Sequence, residues 1–96
     1  MDLIEFKQTL QGVHPPAALS VYLESLWYDA RGNWQKAHDL VDQLPGTAAA
    51  RVHAYLHRVE GDEWNAGYWY RKAGITRPDY SQEEEWELLV NQFLKS

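Results

Sequence analysis

Apolar residues along the chain recur with the spacing of an α-helix and not with that of a β-strand. No segment shows sustained alternation of apolar and polar residues, and the glycine and proline residues lie between the longer segments. In the C-terminal segment, Trp86, Leu89, Val90 and Phe93 fall on one face of a helix. The pattern therefore predicts an all-α fold of five or six antiparallel helices in a single domain, residues 1–96.

The predicted helices begin at residues that either accept hydrogen bonds from free backbone N–H groups or lack an N–H of their own. Pro15 or Pro16 suits the first turn of the second helix, because a proline there lacks an N–H that would be unpaired anyway. Asp62 is predicted to cap the fifth helix, and Ser81 with Glu84 three residues later predicts a capping box for the last one. The resulting divisions are an N-terminal helix within 1–14, a first helical hairpin at 15–45, a second at 47–74 and a C-terminal capping helix at 81–95.

The amino-acid composition of the chain excludes several classes of protein. Cysteine is absent, which excludes disulfides and thiolate metal sites and is compatible with a reducing compartment. No segment approaches the roughly 20 apolar residues that span a bilayer, and the N-terminus lacks the apolar run of a secretory signal. The net charge of −5 gives no electrostatic basis for nucleic-acid binding. We therefore predict a cytoplasmic protein with no membrane or nucleic-acid partner.

Two segments carry the same pattern of residues at a spacing of 29 positions. Gly32 and Gly61 mark equivalent corners, and a small residue, Ser25 or Ala54, lies seven positions before each of them. Small residues at these positions allow antiparallel helices to approach closely. The pattern indicates one structural unit written twice. After the glycine corner of each unit, three residues at i, i+4 and i+7 spacing form one stripe along a helix. These residues are Ala37, Val41 and Leu44 in the first unit and Ala66, Tyr70 and Ala73 in the second.

This repeated pattern resembles the tetratricopeptide repeat, although its period is shorter than the roughly 34 residues of that family. The stretch NAGYWYRKAG is also similar to the second helix of the Sel1-like variant. The longer phrase HRVEGDEWNAGYWYRKAG is similar to one in small bacterial and fungal proteins of no assigned function. The resemblance implies a right-handed array of helical hairpins that binds a protein or peptide on its concave face.

The predicted function is accordingly a non-enzymatic interaction module with a protein or peptide partner. The resemblance assigns the concave face to the second and fourth helices. Tyr68 is expected to be exposed, and Trp64 is a further candidate for a surface contact. A homodimer is an alternative, because a two-unit array leaves an apolar end that a second copy could cover. The predicted contact residues are Tyr22, Leu26, Asp29, Arg51, Tyr55, Arg58, Trp64 and Tyr68.

A competing hypothesis is a small metal- or ligand-binding protein or enzyme whose site is on the fourth helix. His53, His57 and Glu60 lie at i, i+4 and i+7, so they point the same way. Two imidazoles and a carboxylate are a ligand set of zinc and non-haem iron sites, and His38 or Asp62 could add a fourth ligand. However, His57 occupies the position that a tyrosine fills in the first unit, which favours a buried structural histidine.

No other chemistry is indicated by the sequence. It contains no Gly-rich phosphate loop and no Gly-x-Ser-x-Gly elbow. A helical zinc-protease motif would need Glu directly after His53, and Ala54 is found there instead. We therefore predict no catalytic residue and no cofactor.

Overall fold

The computed structural model describes all residues from 1 to 96 and contains six α-helices and no β-strand. This confirms the all-α class predicted from the sequence. None of the helices combines the length and the apolar character needed to cross a membrane. The helices are α1 (Leu3–Thr9), α2 (Val21–Ala30), α3 (Trp34–Val41), α4 (Thr47–Glu60), α5 (Glu63–Ala73) and α6 (Gln82–Leu94).

Helices α2 and α3 form one hairpin, and α4 and α5 form another. Each corner begins with a glycine in the left-handed conformation, Gly32 with φ 81° and Gly61 with φ 87°. The next residue, Asn33 or Asp62, then caps the second helix of the hairpin by accepting a hydrogen bond from the N–H three residues later. A left-handed glycine followed by a capping side chain lets the chain reverse within two residues.

Helix α4 lies at the centre of the molecule. All nine residues from Ala49 to His57 are buried, because α2, α3, α5 and α6 all pack against this helix. Helix α6 crosses α2 and α4, where the indole N–H of Trp86 donates to the carbonyl oxygen of Leu26 at 3.0 Å. Helix α1 packs against α6 and adds Phe6 to the same core. The consequence is that α6 covers a face of α2 and α4 that would otherwise be open.

Helix α2 begins later than the sequence predicted. It starts at Val21 and is capped by the hydroxyl of Ser20, which accepts from the N–H of Leu23 at 3.2 Å. The prediction of Pro15 or Pro16 in its first turn is therefore wrong. A residue before proline is driven out of the helical region, so Pro15 cannot begin a helix, and serine is among the strongest N-caps.

Two finer predictions also need correction. Helix α3 ends at Val41 and Leu44 is 37% exposed, so the third position of the first stripe lies outside both the helix and the core. Pro45 accounts for this, because it disfavours helical geometry at Leu44. At the start of α6, Ser81 accepts from the N–H of Glu84 as predicted, but its hydroxyl donates to the carboxylate of Glu84 at 3.3 Å. The reciprocal half of the capping box is thus replaced by a contact between the two side chains.

Candidate metal site

Three of the four histidines lie together between α3 and α4. His53 and His57 are one turn apart on α4, so their rings lie on the same face, with centroids 4.8 Å apart. His38 is on α3, which packs against that face, and its Nε2 lies 2.9 Å from Nε2 of His53. A ring nitrogen from each histidine lies within 4.8 Å of those of the other two. The fold thus brings three imidazoles to one point.

A carboxylate lies beside two of these histidines. Oδ1 of Asp42 lies 3.8 Å from Nε2 of His38 and 3.9 Å from Nε2 of His53. Asp42 is the C-cap of α3 and comes four residues after His38, so both side chains lie on the same face. Our sequence reasoning missed Asp42. The signal that could have found it is the i, i+4 spacing of a histidine and an aspartate at the end of one helix.

The sequence predicts Glu60 as a metal ligand beside His53 and His57, but in the structure its carboxylate contacts the ring of His57. Its Oε1 lies 2.9 Å from Nδ1 of His57, so Nε2 is the nitrogen of His57 that remains for a metal. A carboxylate on the far nitrogen of a ligating histidine fixes the orientation of the ring and raises its basicity. Asp62 groups with Glu60 and His57 and not with the other two histidines. Its Oδ1 and Oδ2 accept from the backbone N–H and the side-chain amide of Asn65.

Two tryptophans hold the imidazole rings in place. Trp69 stacks on His53 with ring centroids 4.0 Å apart and an interplanar angle of 17°. Trp34 stacks on His38 at 4.9 Å and 14°, and its own indole N–H donates to a backbone carbonyl of α4 at 2.7 Å. The stacked indoles restrict rotation of both histidines. The cluster is therefore arranged before any ligand arrives, which reduces the entropic cost of binding.

Burial decides the charge of the central histidine. Desolvation, followed by the charges of His38 and His57, lowers the pKa of His53 from its ordinary 6.5 to about 4, against an opposing effect of Asp42. His53 is consequently a neutral imidazole at pH 7. Neutral imidazole is the form of histidine that coordinates metal ions. Asp42 and His38, with side chains 40% and 16% exposed, form the side of the cluster that solvent reaches.

The predicted concave face is covered by α6. Leu26 is fully buried, and the ring of Tyr22 stacks on Phe93 of α6 with centroids 5.0 Å apart. Tyr55 is 4% exposed and donates a hydrogen bond to Oδ2 of Asp29 at 2.7 Å. A partner therefore cannot reach most of the predicted groove while α6 is in place. This is a correction to the expectation that this face, and Tyr55 in particular, is an open surface.

The two arginines predicted to line that groove bind Glu85 of α6 instead. Arg51 Nη1 lies 2.5 Å from Oε2 of Glu85, and Arg58 Nη1 lies 2.8 Å from Oε1. The hydroxyl of Tyr70 lies 2.9 Å from Oε1 and 2.7 Å from Oε2 of the same carboxylate. Glu85 is fully buried, and the chain leaves no buried side-chain nitrogen or oxygen without a partner. A buried carboxylate between two arginines is a structural ion pair that holds α6 to α4.

The remaining predicted contact residues form a small aromatic surface on α5. Trp64 is 75% exposed and Tyr68 is 38% exposed, and their rings stack with centroids 6.3 Å apart. Nζ of Lys72 lies 5.6 Å from the centroid of the Tyr68 ring, which extends this surface by one more turn.

Comparisons of the chain with family models, with curated proteins and with solved structures found no match.

Proposed function

We propose that this protein binds one divalent transition-metal ion through Nε2 of His38, His53 and His57 and a carboxylate oxygen of Asp42. The observation that carries the proposal is the convergence of three imidazole nitrogens within 4.8 Å of one another. Zinc–nitrogen bonds of about 2.0–2.1 Å in a tetrahedral site place neighbouring ligand atoms about 3.3 Å apart. The separations of 2.9, 3.8 and 3.9 Å among His38, His53 and Asp42 bracket that distance, and the ring nitrogen of His57 lies within 4.8 Å of those of the other two histidines.

The ligand set favours particular metal ions. Imidazole nitrogen suits Zn²⁺, Cu²⁺, Ni²⁺ and Fe²⁺, and four donors without a cysteine thiolate disfavour Cu⁺. Oxygen-rich sites for Ca²⁺ or Mg²⁺ have a different composition. Zn²⁺ is the ion we expect, because its tetrahedral preference matches three imidazoles and one carboxylate. Glu60 would then orient His57 from outside the ligand set.

Isothermal titration of the metal-free protein with Zn²⁺ tests the proposal, and Co²⁺ substitution reports the geometry by visible absorption. We expect one ion per chain and the intense absorption of tetrahedral Co²⁺. His38→Gln, His53→Gln and His57→Gln should each abolish stoichiometric binding. His14→Gln is the matched control, because this fourth histidine is exposed in the loop before α2 and lies outside the cluster.

Variants of Glu60, which contacts His57 from outside the ligand set, and of the fourth ligand, Asp42, sharpen the experiment. Glu60→Gln should weaken Zn²⁺ binding by about tenfold without changing the Co²⁺ spectrum, because the carboxylate orients His57 and does not touch the metal. Asp42→Asn should alter the spectrum, because it replaces a ligand. Zn²⁺ binding that survives all three cluster substitutions, or that is lost in His14→Gln, would exclude this site.

A second candidate function is a protein- or peptide-interaction module with a tetratricopeptide- or Sel1-like arrangement of its two hairpins. The observation that favours it is the exposed, stacked pair of Trp64 and Tyr68, because exposed aromatic residues are typical of interaction hot spots. Selection of displayed random peptides on the wild-type protein and on a Trp64→Ala, Tyr68→Ala variant tests it. Peptides that bind only the wild type support a docking role, and equal binding to both proteins opposes it.

Two further properties predicted from the sequence are a homodimer and a cytoplasmic location. The homodimer can be measured by sedimentation velocity over a range of protein concentrations, and Trp64→Ala should abolish self-association if α5 forms the interface. The cytoplasmic location stays a prediction from composition.

A further inference from the structure

A cavity of about 450 Å³ that is widely open to solvent lies where α6 does not fill the face formed by α2 and α4. It lies where the C-terminal ends of α1, α2 and α4 meet the first turns of α6. Its apolar wall is formed by Leu10, Ala30, Val59 and Trp86. Cavities of roughly 300–1,000 Å³ with an apolar lining and a few polar groups are typical of small-molecule sites. None of its lining residues belongs to the histidine cluster.

One carboxylate in this cavity lacks a counter-charge. Oδ2 of Asp29 accepts from the hydroxyl of Tyr55, whereas Oδ1 has no hydrogen-bond partner in the chain, and no Lys, Arg or His forms an ion pair with Asp29. Every fully buried side-chain oxygen of the chain has a hydrogen-bond partner, so Oδ1 of Asp29, which has none, is at least partly exposed to solvent. Asp29 is one of the residues that line the cavity. Desolvation raises the pKa of Asp29, against the opposing effect of the Tyr55 hydrogen bond.

The position of Asp29 on its helix is also unfavourable. It lies next to the last residue of α2, at the end where the helix dipole is negative and a carboxylate is disfavoured. Burial and the helix dipole both oppose the charge, and no cation of the chain compensates for it. Groups that lower stability in this way are found at functional sites. Oδ2 of Asp29 serves the fold as the acceptor of the Tyr55 hydroxyl, whereas the charge of the carboxylate has no partner in the chain and is left for a ligand.

The other charged residues of the cavity determine the sign of its net charge. Glu83 lines it, is exposed, and makes no ion pair. Lys7 and Glu87 also line it, but they pair with each other and so largely cancel. Asp29 is then the carboxylate that neither a cation nor a helix dipole compensates, whereas Glu83 lies in the first turn of α6, where the dipole favours an acid. A cation with an apolar body matches both the charge and the wall of this cavity.

We propose that this cavity binds a small organic cation, an ammonium or guanidinium group on an apolar stem or ring, whose charge pairs with Oδ1 of Asp29. Glu83 adds attraction at the rim, and Leu10, Val59 and Trp86 contact the apolar part. The hydroxyl of Tyr55 holds the carboxylate in place from the opposite oxygen. The site is independent of metal binding, so either proposal can fail without the other.

A charge-matched pair of probes tests this site. The ¹⁵N-labelled protein, kept free of metal with a chelator, is titrated with 2-phenylethylammonium and with 2-phenylethanol, which has the same ring and no charge. We expect shifts at the backbone amides of Asp29 and Glu83 and at the indole of Trp86. The alcohol should bind at least about tenfold more weakly, because it lacks the charge-assisted contact.

Two variants separate a binding role from a structural one. Asp29→Asn keeps an acceptor for the Tyr55 hydroxyl but removes the charge, so it should bind the ammonium at least about tenfold more weakly. It should also melt at a higher temperature than the wild type at pH 7, because an unfavourable charge is gone. Glu84→Gln is the control, since Glu84 is an exposed acid on the same helix as Glu83 but outside the cavity. Its affinity should match that of the wild type.

The outcomes that overturn the proposal are equally definite. Equal affinity for the ammonium and the alcohol would show that the pocket is apolar and does not distinguish a charged ligand from a neutral one. Unchanged ammonium binding by Asp29→Asn would remove Asp29 from the site. A lower melting temperature of the folded Asp29→Asn protein would mean that the carboxylate serves the fold.

Discussion

Replacing Glu85 by glutamine should be among the most destabilising isosteric changes in this protein. The carboxylate is fully buried and accepts hydrogen bonds from Arg51, Arg58 and Tyr70. Glutamine has nearly the same shape but no charge, and its amide nitrogen is a donor where an arginine needs an acceptor. Both arginines keep their charge, and their side chains are only 10% exposed. The variant therefore leaves two partly dehydrated cations without an anion.

The expected loss follows from these contacts. Removing one partner of a buried ion pair costs about 3–5 kcal/mol, because the charge left behind stays out of water. For a domain of this size, 1 kcal/mol corresponds to about 4–8 °C in melting temperature, so we expect a decrease of about 20 °C. This is a large fraction of a total stability of roughly 5–15 kcal/mol.

Urea unfolding followed by circular dichroism measures the change, with linear extrapolation and an unchanged m-value as the requirement for comparing stabilities. Glu84→Gln is the matched control, because it removes an exposed acid from the preceding position and should cost less than about 1 kcal/mol. Arg58→Met should be less harmful in the Glu85→Gln background than in the wild type, since one unpaired cation is then removed. A loss below about 1 kcal/mol for Glu85→Gln would refute the account of a charged buried carboxylate.

Three further predictions address pH, the second hairpin corner and the exposed surface. Because the pKa of His53 is lowered to about 4, the unfolded chain takes up a proton near pH 6.5 and the folded chain does not. Unfolding free energy of the metal-free protein should therefore fall by about 3 kcal/mol from pH 6.5 to 4. Urea titrations at successive pH values check this, and His53→Gln should show a smaller fall; an equal fall would contradict it. Gly61→Ala should cost about 1 kcal/mol in thermal unfolding, because φ is 87° there while the space for a Cβ is open, and Gly61→Asn should cost less. Trp64→Ala should change the unfolding free energy by less than about 0.5 kcal/mol, since the side chain is 75% exposed.

Helix ends were the most predictable part of the fold because they depend on neighbours in sequence. The glycine at 61 and the cap at Asp62 need only residues within one turn, and the structure has both as predicted. The start of α2 was misread for a reason that is also local. Prolines suit a first helical turn, but two in succession restrict each preceding residue, and Ser20 further along offered a better cap.

The features that the sequence pattern did not predict depend on contacts between segments that are far apart in the sequence. The run Glu83, Glu84, Glu85 looks uniform, yet only Glu85 lies four residues before Leu89 on the apolar face of α6. That spacing could have marked it as buried, but its arginine partners could not be read from α6 itself. Likewise, the i, i+4 rule predicted that His53 shares a face with His57. It could not place His38 and Asp42, because their position depends on how α3 packs against α4.

The closure of the core by α6 has a consequence for the order in which the chain folds. The contacts that hold α6 in place join residues far apart in sequence, 34 positions for Arg51 with Glu85 and 60 for Leu26 with Trp86. During synthesis the ribosome releases α6 after both hairpins, so Arg51 and Arg58 stay hydrated until the carboxylate arrives. Long-range contacts of this kind slow folding relative to helical proteins held by local contacts. A nascent chain halted before Glu85 would expose the apolar face of α2 and α4, the kind of surface that chaperones bind.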